Sequence, residues 1–251
     1  MRRNPLRKKL EEDRPAYGGW VTLESPSVTE ALVASGIDWI VIEMEHGQLD
    51  WRDVAGHVRA VAGTDTAALV RIPEVQRNFV QRALDIGADG IVCPMIGSQQ
   101  QLEGAFQLGR FPPRGVRGVG GERSVKWGMD WDDYLSNADG ETMIVPLLET
   151  RDAVQNVDSI LEVDGLETLF IGPADLSASY GFLGQWEGPG VAEAIQEISA
   201  KAQSRGIATG ILARTCEEAV VRREQGFRMI GIGADVNLML RSLQQTLDGL
   251  R

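Results

Sequence analysis

Eight short apolar segments alternate with amphipathic stretches, and this alternation constrains the fold more than any other feature of the chain. Most of the segments are continuously apolar, which is typical of strands buried on both faces of a parallel sheet. They lie at 20–23, 39–43, 67–71, 90–94, 143–149, 168–172, 208–212 and 229–233. The helical pattern at 27–36, where Ser27 is the predicted cap, and those at 78–87, 191–206 and 216–226 each end at a glycine, as helices that return to a strand commonly do.

Eight such strand and helix units predict an α/β fold, a (β/α)₈ TIM barrel, as a single domain over residues 1–251. A doubly wound sheet is the alternative, but that fold usually carries a glycine fingerprint after its first strand, and "ESPSV" here contains none. The last stretch, 235–250, is predicted to be an amphipathic helix. Residues 1–14 are basic and are predicted to form a short helix or an interface arm.

Charge and composition exclude several classes of partner. The net charge of −11 disfavours nucleic acid. No apolar run approaches the ~20 residues that span a bilayer, and the N-terminus lacks the apolar core of a signal peptide, so we predict no membrane association and a cytoplasmic location. Cys93 and Cys216 are far apart in sequence and are expected to be reduced thiols.

Polar side chains follow several of the predicted strands. In a TIM barrel the active site lies at the carboxyl ends of the strands. The polar residues found there are Glu43, Glu45 and His46 after the second strand, Arg71 after the third, Glu149 after the fifth and Asp175 after the sixth. The sequence therefore predicts that these groups converge on one rim.

This combination of groups suggests enolate chemistry next to a carbonyl. Glu149 and Asp175 follow neighbouring strands, and two carboxylates suit a hard divalent cation such as Mg²⁺ or Mn²⁺. Such an ion can chelate a 2-oxo acid and stabilise its enolate. Arg71 is a fixed cation for the oxyanion, and His46 is the side chain best suited to move a proton near neutral pH.

Each of these residues also has an ordinary explanation. Glu149 and Asp175 could simply favour helix N-termini, and Arg71 and His46 could be surface residues. It is less probable that all four of these residues have an ordinary explanation than that any one of them does. His57, inside a helical stretch, is predicted to be structural.

Two groups of residues in the long irregular segment 110–134 have open roles. Its aromatic residues, Trp127 and Trp131, are expected to pack the segment or a subunit contact, although they could line a pocket. Its arginines could steer an anion or form surface ion pairs; they are Arg114, Arg117 and Arg123.

Several motifs resemble those of the metal-dependent class II pyruvate aldolases, in the same order, from about residue 17 to the C-terminus. That family includes 4-hydroxy-2-oxoheptanedioate aldolase and 2-dehydro-3-deoxyglucarate aldolase. The matching strings are "EMEHG", "LVRIP", "LDIGADGIVCPMI", "FPPRGVRGVG", "LLET" and "FIGPADLS".

The resemblance implies a reaction and its main groups. The reaction is reversible C3–C4 cleavage of a 4-hydroxy-2-oxo acid to pyruvate and an aldehyde, through a metal-bound pyruvate enolate. The metal ligands would be Glu149 and Asp175, with Mg²⁺ or Mn²⁺, or Co²⁺, as the ion. His46 would be the acid–base group, and Arg71 would hold the keto and enolate oxygen.

The resemblance also implies supporting residues. Backbone N–H groups around Gly172 and Ala174 would bind the pyruvate carboxylate. Because proline has no N–H, Ala174 and Asp175 are the plausible donors. Leu212 would pack beside the pyruvyl methyl group, and Asp85 would support the site from nearby or across an interface. The C-terminal helix would be exchanged between subunits of a homohexamer built as a trimer of dimers.

Two positions depart from the family pattern. Relatives commonly have aspartate, paired with the catalytic histidine, where this chain has Glu43, and they often have glutamine where it has Leu147. These changes bear on substrate and rate more than on the class of reaction. The same enolate site would also suit oxaloacetate decarboxylation or an acyl-CoA acceptor, and a non-catalytic barrel that binds 2-oxo acids is a further alternative.

Overall fold

The computed structural model of the chain describes residues 1 and 3–251. Within them, eight parallel strands pair in chain order and the eighth closes on the first, which confirms the (β/α)₈ barrel. The strands are β1 (Ala16–Val21), β2 (Trp39–Glu43), β3 (Ala67–Arg71), β4 (Gly90–Cys93), β5 (Met143–Leu148), β6 (Thr168–Ile171), β7 (Ala208–Leu212) and β8 (Met229–Ala234).

One helix precedes β1, and the others follow the strands around the outside of the barrel. They are α1 (Pro5–Glu11), α2 (Pro26–Ala34), α3 (Trp51–Val61), α4 (Arg77–Ile86), α5 (Gln99–Gly109), α6 (Trp131–Glu141), α7 (Arg151–Gln155), α8 (Val157–Ile160), α9 (Pro173–Ser179), α10 (Val191–Ser204), α11 (Cys216–Glu224) and α12 (Asp235–Leu250). In the described part of the chain none of them is long and apolar enough to cross a bilayer.

The glycines that were predicted to end helices do so, with φ values in the left-handed region that glycine tolerates best. These are Gly36 (86°), Gly87 (94°), Gly206 (72°) and Gly226 (93°). The predicted Ser27 cap is wrong. Helix α2 begins at Pro26, so Ser25 takes the cap position, without a side-chain hydrogen bond.

Apolar residues form two layers because successive side chains on a strand face opposite sides of the sheet. On β2, Ile40 and Ile42 face outward and join the large cluster beneath the surrounding helices. Trp39 and Val41 face inward and join a second cluster that fills the barrel. The apolar run at 39–42 is therefore continuous because both faces of the strand are buried.

The barrel interior explains why β1 begins earlier than the sequence indicates. The strand extends over Ala16–Val21 rather than 20–23, and Gly18 and Gly19 lie at its centre. A Cβ at position 18 would overlap the Trp39 indole. Glycine therefore makes room for Trp39, which contacts Trp20 edge-to-face at 5.6 Å between ring centroids.

Helix α1 covers the amino-terminal end of the barrel. Leu6 is 1% exposed and joins the inner cluster beside residues that begin the strands. Asn4 caps the helix and donates from Nδ2 to the Asp89 carbonyl at 2.9 Å. In this chain the basic segment 1–14 thus contains a short helix that closes the bottom of the barrel.

Candidate active site

The same alternation that fills the barrel places polar groups at its carboxyl-terminal rim. Inward positions along β2 are 39, 41 and 43, and along β3 they are 67, 69 and 71. Each series begins with apolar residues and ends in a charged one, Glu43 or Arg71. Two residues beyond the buried Leu147 of β5, Glu149 follows the same inward direction.

Glu43 holds Arg71 and the following turn in place. The two residues are direct partners in the register of β2 and β3. Glu43 is 2% exposed, and its Oε2 accepts from Arg71 Nε at 2.5 Å. Its Oε1 accepts from the backbone N–H groups of Glu45 and His46 at 2.7 and 2.9 Å. Glu43 therefore contacts the backbone of His46, and its hydrogen bonds go to N–H groups and Arg71 rather than to the imidazole.

Glu45 lies between Arg71 and His46. Its Oε2 is 2.9 Å from Arg71 Nη1 and 3.8 Å from His46 Nε2. Burial raises the pKa of Glu45, and the opposing charge of Arg71 moderates that shift. The His46 side chain is 66% exposed and faces the cavity, so it can reach a bound molecule.

Glu149 is a deeply buried carboxylate of the cavity. Its Oε1 accepts from the Met95 backbone N–H at 2.8 Å, and the residue is 2% exposed. Burial raises the pKa of Glu149 to about 7, and the negative charges of Asp175 and Glu45 add to the increase. A cation placed between these carboxylates would favour the ionised form.

Gly172 permits this arrangement. A Cβ at position 172 would overlap Glu149 Oε2 and would lie 2.9 Å from the Glu149 Cβ. Glycine is thus required where the end of β6 passes the carboxylate. The chain then begins α9 at Pro173, which puts Ala174 and Asp175 in its first turn, where backbone N–H groups have no partner within the helix.

A cavity of about 560 Å³ opens at this end of the barrel. Trp20 and Phe170, in edge-to-face contact at 5.2 Å between ring centroids, contribute apolar surface to it. Eight residues that the sequence singled out line it together: Glu43, His46, Arg71, Glu149, Gly172, Ala174, Asp175 and Leu212. Leu147 also lines it, and it is buried.

Asp85 lies elsewhere in this chain. It is on α4, outside the cavity, and its Oδ1 accepts from Arg117 Nη2 at 2.9 Å. Arg117 is buried and also donates to the Tyr134 hydroxyl. Its guanidinium is thus used within the fold, and that of Arg123 donates to the Ile86 carbonyl at 2.7 Å.

The remaining predictions concern residues away from the cavity. Trp127 and Trp131 do not line it, and Trp127 is 72% exposed. They belong to the segment after α5, where Arg123–Gly128 forms a 3₁₀ turn before α6. His57 is buried, and its Nδ1 lies 2.8 Å from the Thr29 hydroxyl, so its structural role is confirmed.

Sequence reasoning missed several cavity residues, among them Trp20, Trp186, Arg214 and Arg241. Trp20 was assigned only to a strand, although its inward position could have been inferred from the period of two. Trp186, Arg214 and Arg241 come from the connection before α10, the segment after β7 and helix α12. No local pattern marks them, because the closed barrel brings these segments together.

The chain is similar to known proteins over nearly its full length. Residues 16–242 match the model of the family described as HpcH/HpaI aldolase/citrate lyase. The chain is 37% identical to the hydroxypyruvate/pyruvate aldolase of Paraburkholderia phytofirmans, over 99% of this chain and 98% of that protein. It is 34% identical to the 4-hydroxy-2-oxovalerate aldolase of Rhodococcus jostii, over 95% and 92% of the two chains.

Solved structures show the same relationship. The crystal structure of a family protein from Burkholderia cenocepacia superposes with a TM-score of 0.95 at 39% identity, over 99% of both chains. That of an HpcH/HpaI aldolase from Desulfitobacterium hafniense superposes with a TM-score of 0.92 at 29% identity, over 98% of this chain and 96% of that one. The chain therefore belongs to the HpcH/HpaI aldolase/citrate lyase family of carbon–carbon lyases.

Proposed function

We propose that the protein is a metal-dependent pyruvate aldolase that reversibly cleaves 4-hydroxy-2-oxo acids between C3 and C4. The products are pyruvate and an aldehyde. The observation that supports this most strongly is the buried Glu149 carboxylate, with Asp175 and Glu45 nearby, in the same cavity as the fixed cation Arg71.

The residues present fit a divalent cation. The carboxylates of Glu149 and Asp175 repel one another, which a hard cation would offset. Among the described residues no group of three or more His, Cys, Asp or Glu side chains is placed to hold a metal. Two protein carboxylates would then leave positions for water and substrate. When bound, Mg²⁺, Mn²⁺ or Co²⁺ supplies Lewis-acid polarisation of the keto group.

The chain's own groups bind and orient the 2-oxo acid. The backbone N–H groups of Ala174 and Asp175, in the first turn of α9, donate to the substrate carboxylate. Arg71, held by Glu43 and Glu45, places its positive charge beside the keto oxygen, where negative charge develops as the C3–C4 bond breaks. Leu212 packs against the C3 side of the substrate.

His46 moves the proton. In cleavage its imidazole accepts the proton of the C4 hydroxyl, and the C4–O bond becomes the aldehyde carbonyl. The electron pair of the C3–C4 bond passes to the pyruvate fragment as an enolate, and C3 then takes up a proton, which balances the one that the imidazole accepted from the C4 hydroxyl. In the synthetic direction the same imidazole returns the proton to the new alkoxide.

We further propose that the protein works in the cytoplasm as a homohexamer, a trimer of dimers that exchanges its last helix. An exposed apolar face on α12 supports a subunit contact there; it consists of Met239, Leu240, Leu243, Leu247 and Leu250. In that assembly Asp85, which lies outside the cavity of its own chain, supports the site of a neighbouring subunit.

Pyruvate release from a panel of 4-hydroxy-2-oxo acids tests the function. It is measured with Mg²⁺ or Mn²⁺, with chelator, and in the Glu149→Gln and His46→Ala variants. We expect activity that chelation abolishes and that falls in both variants but not in Glu224→Gln, an exposed residue at the end of α11. Absence of turnover in folded, metal-loaded protein would contradict the proposal, and turnover that survives chelation would contradict its metal dependence.

A further inference from the structure

The cavity has a second, basic end that the reaction described above does not use. Its acidic residues, Glu43, Glu149 and Asp175, lie with Arg71 at the ends of β2, β3, β5 and β6. The other two arginines of the lining, Arg214 and Arg241, come from the segment after β7 and from α12.

These two arginines are held at the rim by defined contacts. Arg241 Nη1 donates to the Arg214 carbonyl at 2.8 Å, which joins α12 to the β7 segment. The Arg214 guanidinium lies over the Trp186 ring, 4.8 Å from its centroid. Asp235 anchors the start of α12 to the end of β1, since its carboxylate accepts from the Thr22 hydroxyl at 2.7 Å.

Both guanidinium groups keep donors available for a ligand. Arg241 forms no ion pair with any described residue, and Arg214 donates to Glu218 from Nε at 3.2 Å. Neither Nη group of Arg214 donates a hydrogen bond within the described part of the chain. Glu218 is also 3.5 Å from Arg222 Nη2, so two cations share its charge. The N–H groups of a guanidinium can donate two parallel hydrogen bonds to the oxygens of a carboxylate or phosphate.

The space beside the arginines suits the second half of a larger substrate. Apolar side chains contribute much of the remaining lining, including Trp20, Phe170, Leu212 and Ala213. The volume of about 560 Å³ lies within the range of roughly 300–1,000 Å³ that holds drug-sized ligands, and it exceeds what a three-carbon acid fills.

We propose that Arg214 and Arg241 determine specificity by binding an anionic group on the aldehyde half of the substrate. The preferred substrates are then 4-hydroxy-2-oxo acids whose aldehyde fragment carries a carboxylate or phosphate. The acidic residues of the cavity would repel such a group, and the two arginines offset that repulsion by binding it. This inference rests on the proposed aldolase function. The two arginines bind the distal group and take no part in proton transfer.

The test measures aldol addition of pyruvate to matched aldehydes. One pair is 4-oxobutanoate and 4-methylpentanal, which replaces the carboxylate by an isopropyl group of similar shape. The other pair is glyceraldehyde 3-phosphate and glyceraldehyde, which separates phosphate from carboxylate recognition. The ratio of kcat/KM for the charged aldehyde to that for its neutral partner is compared between proteins at saturating pyruvate.

We expect one charged aldehyde to be favoured by about 10- to 100-fold, as for a hydrogen-bonded charge pair. Arg214→Met and Arg241→Met should each reduce that ratio about tenfold. Arg214→Lys should be intermediate, because it keeps the charge without the fork. Arg223→Met, an exposed arginine of α11 outside the cavity, is the matched control and should keep the wild-type ratio.

Circular dichroism identifies any variant that fails to fold. If one arginine variant does not fold, the ratio measured for the other arginine variant tests the assignment. Two results would overturn the assignment while leaving the aldolase function intact. One is turnover in which the wild-type kcat/KM ratio of charged to neutral aldehyde is near one for both pairs. The other is a ratio that stays unchanged in both arginine variants. Absence of turnover with all four aldehydes would instead overturn the function, and the inference with it.

Discussion

Replacing Glu43 by glutamine tests whether a buried carboxylate positions the cation of the site. Glutamine keeps the shape of the side chain, and its Oε1 can still accept from the N–H groups of Glu45 and His46. Its amide nitrogen would face Arg71 Nε, however, where Oε2 now accepts at 2.5 Å. Two donors would then oppose each other in a buried place, although Arg71 would keep Glu45 at 2.9 Å.

The expected cost follows from the burial of the pair. The side chains of Glu43 and Arg71 are 3% and 13% exposed, so solvent screens their interaction little. Loss of one charged hydrogen bond should lower the free energy of unfolding by about 2–3 kcal/mol. A displaced guanidinium should lower kcat/KM by roughly 100-fold, as misplacement of about 1 Å can do.

Urea denaturation and steady-state kinetics measure these two effects. Glu43→Asp is a second variant, because its shorter side chain should not reach both Arg71 and the two backbone N–H groups. The exposed residue Glu224 provides the control through Glu224→Gln, for which we expect wild-type values. If Glu43→Gln stayed within about 0.5 kcal/mol of the wild type and kept full activity, the positioning role assigned to Glu43 would be wrong.

Other predictions concern the metal-binding end and the barrel floor. Gly172→Ala should displace the Glu149 carboxylate and weaken divalent-metal binding, measured by calorimetry, whereas Gly140→Ala, where a Cβ meets open space, should not. Because the pKa of Glu149 is raised from 4.5 to about 7, the metal-free protein should lose up to about 3 kcal/mol of stability as pH rises through that interval. Thermal unfolding should show that Glu149→Gln or added Mg²⁺ removes this loss, and an equal pH slope in Glu149→Gln would contradict the assignment. Leu6→Ala should lower the free energy of unfolding, measured by urea denaturation, by about 2–5 kcal/mol, because it leaves a cavity at the amino-terminal end of the barrel. Replacing the 81%-exposed Leu183 by alanine should lower it far less.

Much of the fold could be read from the sequence because barrel strands and their helices are locally encoded. The apolar runs at 39–43, 67–71 and 208–212 coincide with β2, β3 and β7. Glycine is depleted in strands, so the local pattern does not extend the first strand over Gly18 and Gly19, whereas the structure does. Their purpose is evident only when the Trp39 ring is seen in the space that a side chain at position 18 would occupy.

The polar ends of the strands were also predictable, since the period of two carries Glu43 and Arg71 to the inner face and the barrel collects strand ends at one rim. The contacts between them were not. Glu43 accepts hydrogen bonds from Arg71 and from the backbone of the following turn, and its pairing with Arg71 depends on the register of β2 against β3. A shift of one residue would reverse the faces and remove the pairing.

The sequence by itself thus determined the barrel, its rim and the residue types at that rim, because strand period and helix ends act over a few residues. Only the tertiary structure decided how deeply Glu149 is buried and which residues share its cavity. Closure of β8 on β1 brings α12 back to the rim and places Arg241 beside Arg214. No local pattern encodes such a contact, because it depends on the closure of the whole barrel.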